Sequence, residues 1–295
     1  MISILITAYK EPATIGKAIE CFLDEKLEDY EILVAAPDDE TLAVINKYAK
    51  KHHAVKSFKD DGKGKPAALN LLLQHAKGDI LILSDGDVYI EKGSVGRLVR
   101  WFDDQKIGAV SARPLSISPR DTMLGYWSHL LTDAGAHDAR LARASSEKFI
   151  VCTGYLYAIR NIIEKIPEDA LADDAVISYM IWNKGLKIGY EPDAIVYVKY
   201  PDTFNDWMLQ KTRSAGGYTQ LKKYFGNDFP RMRSFGREVF FGWYKALSYA
   251  KTPKEFYWTM MLFFARLYLW ANIFIKLKIL RKGFTDTWKR VESTK

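Results

Sequence analysis

Ile80-Leu-Ile-Leu-Ser-Asp-Gly-Asp87 is the stretch whose reading decides the fold. Four consecutive aliphatic residues, Ile80 to Leu83, leave no polar face, which predicts a strand covered on both sides, as in a parallel sheet. The run stops at two carboxylates separated by one glycine. In open α/β sheets ligands bind beyond the carboxyl ends of the strands, so Asp85 and Asp87 stand where a ligand sits. Both can turn toward one hard cation, Mn²⁺ or Mg²⁺, and such ions commonly hold phosphate oxygens. An arbitrary Asp-x-Asp is usually a turn; the strand in front of this one gives it a chemical reading.

Working outward, Ile2 to Thr7 reads as a first strand and Ala13 to Leu23 as a helix with Ile15, Ala18, Ile19 and Phe22 on one face. Tyr30 to Ala36 is a second strand, Glu40 to Lys51 a second helix, and Val55 to Phe58 a short third strand. Lys65 to Ala76 predicts a helix with Pro66 in its first turn and Gly78 as its stop. Strands alternating with helices imply βαβ units and an α/β fold. Beyond Asp87 the pattern predicts a helix over 93–104 and a strand over 107–112. Mixed helix follows to Lys148, then a strand-like run over 149–159 broken at Thr153-Gly154. A helix stands behind Asp173-Asp174, and a strand pair over 188–198 is interrupted at Glu191-Pro192-Asp193.

The other residues at strand ends and helix starts are acidic, aromatic or basic: Tyr9 and Glu11, Asp38 and Asp39, Lys65, Asp173 and Asp174. An acid at a helix start either caps it or faces the cleft as a general base, with an acidic neighbour raising its pKa toward working pH. Gln210 and Arg213 share a helix face, and an arginine fork suits a diphosphate. Asp61-Gly-Lys-Gly-Lys-Pro66 is not a Walker phosphate loop, since Lys59 and Pro66 replace the required Gly and Ser or Thr. No G-x-G-x-x-G follows the first strand, which argues against nicotinamide cofactors. The five histidines lack metal spacing. Cys21 and Cys152 are too few and too distant for a disulfide framework.

Taken in order, these pieces resemble a family 2 glycosyltransferase with the GT-A fold, over roughly residues 2 to 217. Thr7-Ala-Tyr-Lys-Glu11 resembles the family's nucleotide-binding Pro-Thr-Tyr-Asn-Glu, and Gly64-Lys-Pro-Ala-Ala-Leu-Asn70 its Gly-Lys-x-x-Ala-Leu-Asn helix start. Ser84-Asp-Gly-Asp87 matches the Asp-x-Asp metal site, Asp173-Asp174 the Glu-Asp pair, and Gln210-Lys-Thr-Arg213-Ser214 most of Gln-x-x-Arg-Trp. The resemblance implies an inverting transfer from a nucleotide-diphosphate sugar to an acceptor hydroxyl. Mn²⁺ or Mg²⁺ on Asp85 and Asp87 holds the diphosphate, Asp174 is the base beside Asp173, and Arg213 and Lys65 balance charge. Thr7, Ala8, Tyr9, Glu11 and Asp38 meet the nucleotide, and Gln210 lies beside Arg213. Two departures matter. Ala35-Ala36-Pro37 occupies the place of an acidic pair after the second strand, and Ser214 replaces a Trp that in polysaccharide-making relatives resembles a sugar platform. A single transfer is therefore expected over processive synthesis.

At 295 residues, 48% hydrophobic and 27% charged, the chain is neither disordered nor polytopic. Its formal charge of +7 is unevenly placed: residues 1–198 carry 24 basic and 29 acidic side chains, residues 199–295 carry 19 and 7. The sequence thus predicts a catalytic domain over 1–217 and a basic, aromatic helical segment over 218–295. Phe256 to Ile275 is twenty residues with one charge, Arg266. That length can span a bilayer, but a central Arg costs about 2.5–3.5 kcal/mol. Arg237 to Ala250 also reads as amphipathic, and Lys276, Lys278, Arg281, Lys282, Lys289 and Arg290 suit anionic headgroups. The opening residues, Met1 to Thr7, predict no secretory signal. The expectation is a protein at the cytoplasmic face of the cell membrane, peripheral or single-span, with a lipid, lipid-linked or saccharide acceptor and no nucleic-acid partner. Alternatives are a polyprenyl-phosphate acceptor that arrives ionised, and a sugar-nucleotide nucleotidyltransferase, whose Gly-rich loop is missing after the first strand.

Overall fold

The computed structural model describes residues 1–226, 229–230, 232, 243–275 and 292–294. One eight-stranded sheet organises the chain. Its strands are β1 (Ile2–Thr7), β2 (Tyr30–Ala36), β3 (Val55–Lys59), β4 (Ile80–Asp85), β5 (Tyr89–Ile90), β6 (Ile107–Ser116), β7 (Leu156–Arg160) and β8 (Lys187–Val198), in the order β3-β2-β1-β4-β7-β6-β8-β5. All run parallel except β7, which is antiparallel to β4 and β6, and β5, which is antiparallel to β8. Helices α1 (Ile15–Leu23), α2 (Asp39–Lys51) and α3 (Lys65–His75) join the first four strands, and α4 (Ser94–Arg100) follows β5. The sheet has a core on each face, as the uninterrupted aliphatic runs of β1, β2 and β4 require. Ile4, Ile6, Ile32, Val34, Ile80 and Ile82 belong to one core, while Leu5, Leu33, Leu81 and Leu83 belong to the other.

The structure departs from the sequence expectations in three places, each for a tertiary reason. The strand-like run over 149–159 forms a strand only from Leu156; residues 149–153 are buried without ladder bonds to β4, and their apolar side chains fill the second core. The strand pair over 188–198 is one strand, β8, and Glu191-Pro192-Asp193 falls in its slip against β6, where pairing jumps from Ser111↔Tyr190 to Arg113↔Ile195. Gly78 is not a helix stop, since α3 ends at His75 with Ala76 already extended. A Cβ there would lie 2.5 Å from the Ser3 amide, so the glycine lets the chain pass against β1.

Between β6 and β7 lie α5 (Met123–Leu130), a seven-residue π-helix (Leu131–His137) and α6 (Asp138–Ala144). α7 (Asp173–Asn183) precedes β8, and α8 (Phe204–Phe225) follows it; residue 217, the expected domain boundary, lies inside α8, where Gly217 packs against Ala172. α9 (Trp243–Tyr249) and α10 (Pro253–Phe274) complete the described α-helices. α10 packs against α5 and α8 around Tyr126, Trp127, Leu130, Trp207, Ala246, Leu262 and Ala265. Two of its polar residues face the body: Thr259 is fully buried against the Tyr126 hydroxyl at 2.8 Å, and Glu255 pairs with Arg120 at 3.3 Å. The Trp127 indole donates to the Trp258 carbonyl at 2.7 Å. Outward it presents Tyr257, Phe264, Leu267, Tyr268 and Phe274, each more than half exposed. Residues 233–242 and the basic run over 276–291 lie outside the described residues.

Candidate active site

Six separated pieces of chain meet at the carboxyl edge of the sheet and line one cavity of about 1140 Å³. β1 delivers Thr7, Ala8, Tyr9 and Glu11. β4 delivers Asp85 and, beyond it, Asp87. The start of α3 adds Lys65, the loop entering β7 adds Thr153 to Tyr155, the start of α7 adds Asp173 and Asp174, and α8 adds Gln210 and Arg213. Register explains the first meeting, because Thr7 lies directly across from Asp85. The reversal of β7 explains another: running against β4, it enters the sheet at the edge where β4 leaves, so its leading loop arrives beside Asp85. Gly86 is required by close approach, since a Cβ there would lie 2.4 Å from a Glu11 carboxylate oxygen and 2.8 Å from Ala8 Cβ.

Lys65 ties the two acid pairs together. Its ammonium lies 2.7 Å from Asp85 Oδ1 and 3.3 Å from Asp173 Oδ2. It also lies 3.4 Å from the Gly154 carbonyl, to which it donates. Burial opposes its charge, but Asp173 and Asp85 outweigh burial and hold its pKa above the usual lysine value. Burial likewise pushes the Asp85 carboxyl up, helped by the charges of Asp87 and Asp173 and resisted by Lys65. Asp174 is pushed up to about 6, first by burial and then by the adjacent Asp173 charge. A carboxylate of that pKa is a stronger base than a solvated one and is still ionised at neutral pH. Gly154 opposes it, with an added Cβ just 3.4 Å from Asp174 Oδ2. Tyr155, also lining the cavity, has its hydroxyl pushed up to about 12 by burial.

Asp85 and Asp87 offer hard oxygen donors in a place where four carboxylates outnumber the nearby lysine, which fits a divalent cation. Among the described residues no group of three or more His, Cys, Asp or Glu side chains is arranged to hold a metal ion. The fit is therefore to an ion held by one or two carboxylates and completed by water and phosphate oxygens, the habit of Mg²⁺ at nucleotide sites.

Not every expected residue arrives. Asp38 caps α2, accepting from the Thr41 amide at 3.0 Å and the Lys10 amide at 2.7 Å, and lies outside the main cavity. Asp60 lines the cavity in its stead, 9% exposed, one residue past β3, with its carboxyl raised by burial. An acid at the carboxyl end of a third strand is the sequence signal for it. Asp173 and Asp174 form the first turn of α7 behind Ala172, whose side chain cannot cap it, and Asp174 Oδ1 accepts from the Ala175 amide at 2.8 Å. Gln210 and Arg213 do share the cavity face, and Gln210 Oε1 is buried without a hydrogen bond. Residues from the π-helix, α6, α9 and α10 also line the cavity, among them Arg140, Trp243 and Arg266, which no local pattern announced.

Comparison with known proteins agrees with this geometry. The model of glycosyl transferase family 2 matches residues 3–166. The chain belongs to that family. It is 30% identical over 236 residues to the probable glycosyltransferase YdaM of Bacillus subtilis, covering 75% of this chain and 56% of that protein. It is 25% identical over 232 residues to the poly-beta-1,6-N-acetyl-D-glucosamine synthase of Staphylococcus aureus, covering 76% and 56%. The chain thus spans little more than half the length of these curated relatives. Among solved structures, the mannosyltransferase PcManGT from Pyrobaculum calidifontis, in complex with GDP-Man and Mn²⁺, superposes with a TM-score of 0.64 at 18% identity, over 95% of this chain and 81% of that one. TarS 1–349 of S. aureus, in complex with UDP-GlcNAc, gives 0.53 at 14% identity, over 93% and 80%. These likenesses establish a mixed α/β, GT-A-like fold.

Proposed function

We propose that this chain transfers a sugar from a nucleotide-diphosphate sugar to an acceptor hydroxyl, with inversion, at a membrane surface. One observation carries the reading: a single cavity holds the Asp85/Asp87 pair at one strand end and, across Lys65, a separate acid, Asp174, with its pKa raised to about 6. The nucleotide sugars and Mn²⁺ in the related structures support the donor and the cation class. Asp85 and Asp87 would hold Mn²⁺ or Mg²⁺, which supplies electrostatic stabilisation of the departing diphosphate. Asp174 takes the acceptor hydroxyl's proton, and the oxygen attacks the anomeric carbon opposite the leaving group, inverting it. Arg213 and Lys65 neutralise charge on the diphosphate side. Tyr9, 44% exposed at the cavity mouth, stacks on the base, with Glu11 and Asp60 near base and ribose.

The membrane part rests on α10 and on composition. Among the described residues no helix is long and apolar enough to cross a membrane, so peripheral attachment at the cytoplasmic face is favoured over a span. The exposed aromatic face of α10 and the basic residues of the last third suit an anionic surface. An acceptor presented there is a lipid or a lipid-linked saccharide. Ser214 in place of a Trp favours one transfer per encounter.

The test is nucleotide diphosphate release across a panel of nucleotide sugars with Mn²⁺ or Mg²⁺. Asp87→Ala is expected to lower the rate by about a hundredfold or more. Full activity in that variant, or no turnover of any donor by the parent, would sink the assignment.

A further inference from the structure

The charge lining the cavity is unevenly spread: Lys63 and Lys65 lie among its acids, but the helical end carries cations alone. The six carboxylates of the cavity, Glu11, Asp60, Asp85, Asp87, Asp173 and Asp174, all come from strand ends and the start of α7. The part built by α6, α8, α9 and α10 adds Arg140, Arg143, Lys211, Arg213, Lys245 and Arg266 and not one acid. Between these cations the wall is apolar: Leu131, Trp207, Leu262, Phe263 and Trp270. Of the acids on these helices, Asp138 offsets one of these six cations. Asp138 pairs with Lys245, Glu255 with Arg120, and Asp133 accepts from Tyr249 and faces Arg113. Arg140 and Arg143 are tied to the Val151 and Phe149 carbonyls at 3.0 and 2.7 Å.

Arg266 is the charge that made Phe256–Ile275 a poor membrane span, and the fold places it against the cavity. It shares the inward face of α10 with Leu262, Phe263 and Trp270. One residue on, Leu267 lines the same cavity and is 55% exposed, next to exposed Phe264 and Tyr268. The chamber therefore opens onto the apolar face of α10. A cationic, apolar-walled chamber with an apolar exit complements a phosphate carrying a hydrocarbon chain, and a guanidinium fork matches phosphate oxygens two at a time.

We propose that this end of the cavity binds the phosphate group of an amphiphilic acceptor, with Arg266 selecting the phosphate and the chain leaving beside Leu267. The proposal rests on the transferase reading and narrows its acceptor to a phosphate-bearing lipid. Trp207, Trp243 and Trp270 line the chamber, so its filling is readable in intrinsic fluorescence.

The experiment titrates the full chain, without donor, with decyl phosphate, decanol and inorganic phosphate, each below its aggregation concentration. Decyl phosphate is expected to bind saturably and at least about tenfold more tightly than decanol, with inorganic phosphate far weaker. Arg266→Met is expected to bring decyl phosphate and decanol within about threefold of each other while leaving decanol affinity unchanged, which also shows the chamber intact; Arg266→Lys is expected to fall between. Equal affinities for decanol and decyl phosphate in the parent overturn the proposal, as does an undiminished preference in Arg266→Met. Inorganic phosphate binding as tightly as decyl phosphate overturns it too, marking a free-anion site. Donor turnover without acceptor is measured separately, so failure of the transferase reading and failure of this site are distinguishable.

Discussion

Asp174 is held at a cost that its proposed role explains. Its folded-state pKa of about 6 lies above the unfolded value of about 3.9, so folding favours the protonated form. The associated stability is complete below the unfolded value and is lost as pH rises through about 6; at pH 7 the ionised group is a net burden. Asp174→Asn is therefore expected to raise stability at pH 7 by on the order of 2 kcal/mol, a gain that shrinks as pH falls toward 4, while transfer is lost and donor binding kept. Thermal melts at several pH values check the first part and donor titration the last. In the parent, transfer should decline below about pH 6 as the base protonates; a rate flat to pH 5 would remove Asp174 from that role. At this scale the sequence was most informative where chemistry and position coincided. Asp85, Asp87, Lys65, Asp174 and Arg213 all reach the cavity. Asp38 and Asp60 show the limit, because an acid just after a strand can cap the next helix or face the cleft, and the strand's exact end decides which.

Elements divide along the same line. β1 to β4 and their helices were legible because each is set by local periodicity and its connection is short. β8 was not, because its slip exists only against β6, and neither was the buried run 149–153, which has the composition of a strand and the environment of a core. The π-helix was equally hidden: Leu131–His137 has the composition of an ordinary helix, and its wider turn appears only in the backbone. The seam between α5 and α10 gives this scale its prediction. Trp127 is 1% exposed, packs at a tilt against Trp207 and donates to the Trp258 carbonyl. Trp127→Ala is expected to cost about 3–5 kcal/mol and to make residues 243–275 the first to be cut in limited proteolysis. Unaltered protease resistance there would mean that α10 is held by contacts other than this seam.

At the scale of the whole molecule, one apolar helix face is left uncovered. α10 packs Thr259, Leu262, Ala265, Leu269 and Ile273 into the body and leaves Phe256, Tyr257, Phe264, Leu267, Tyr268 and Phe274 exposed, an apolar outer face unlike that of a helix settled in water, while the basic excess of the last third sits in the same part of the chain. Sedimentation with anionic vesicles is expected to bring the protein down at low salt and less so at 0.5 M salt, about the concentration where screening becomes short-ranged. Phe264→Asp combined with Tyr268→Asp is expected to weaken this about tenfold or more; equal sedimentation of that variant would assign attachment to charge alone. The strand order has a different consequence, for the birth of the molecule. β4 is internal to the finished sheet, yet the neighbour that covers its second edge is β7, and residues 86–155 must emerge from the ribosome before β7 does. At about 5–20 residues per second, the unpaired edge of Ile80-Leu-Ile-Leu83 waits for roughly 4–14 s, an adhesive template for other nascent chains until its partner arrives.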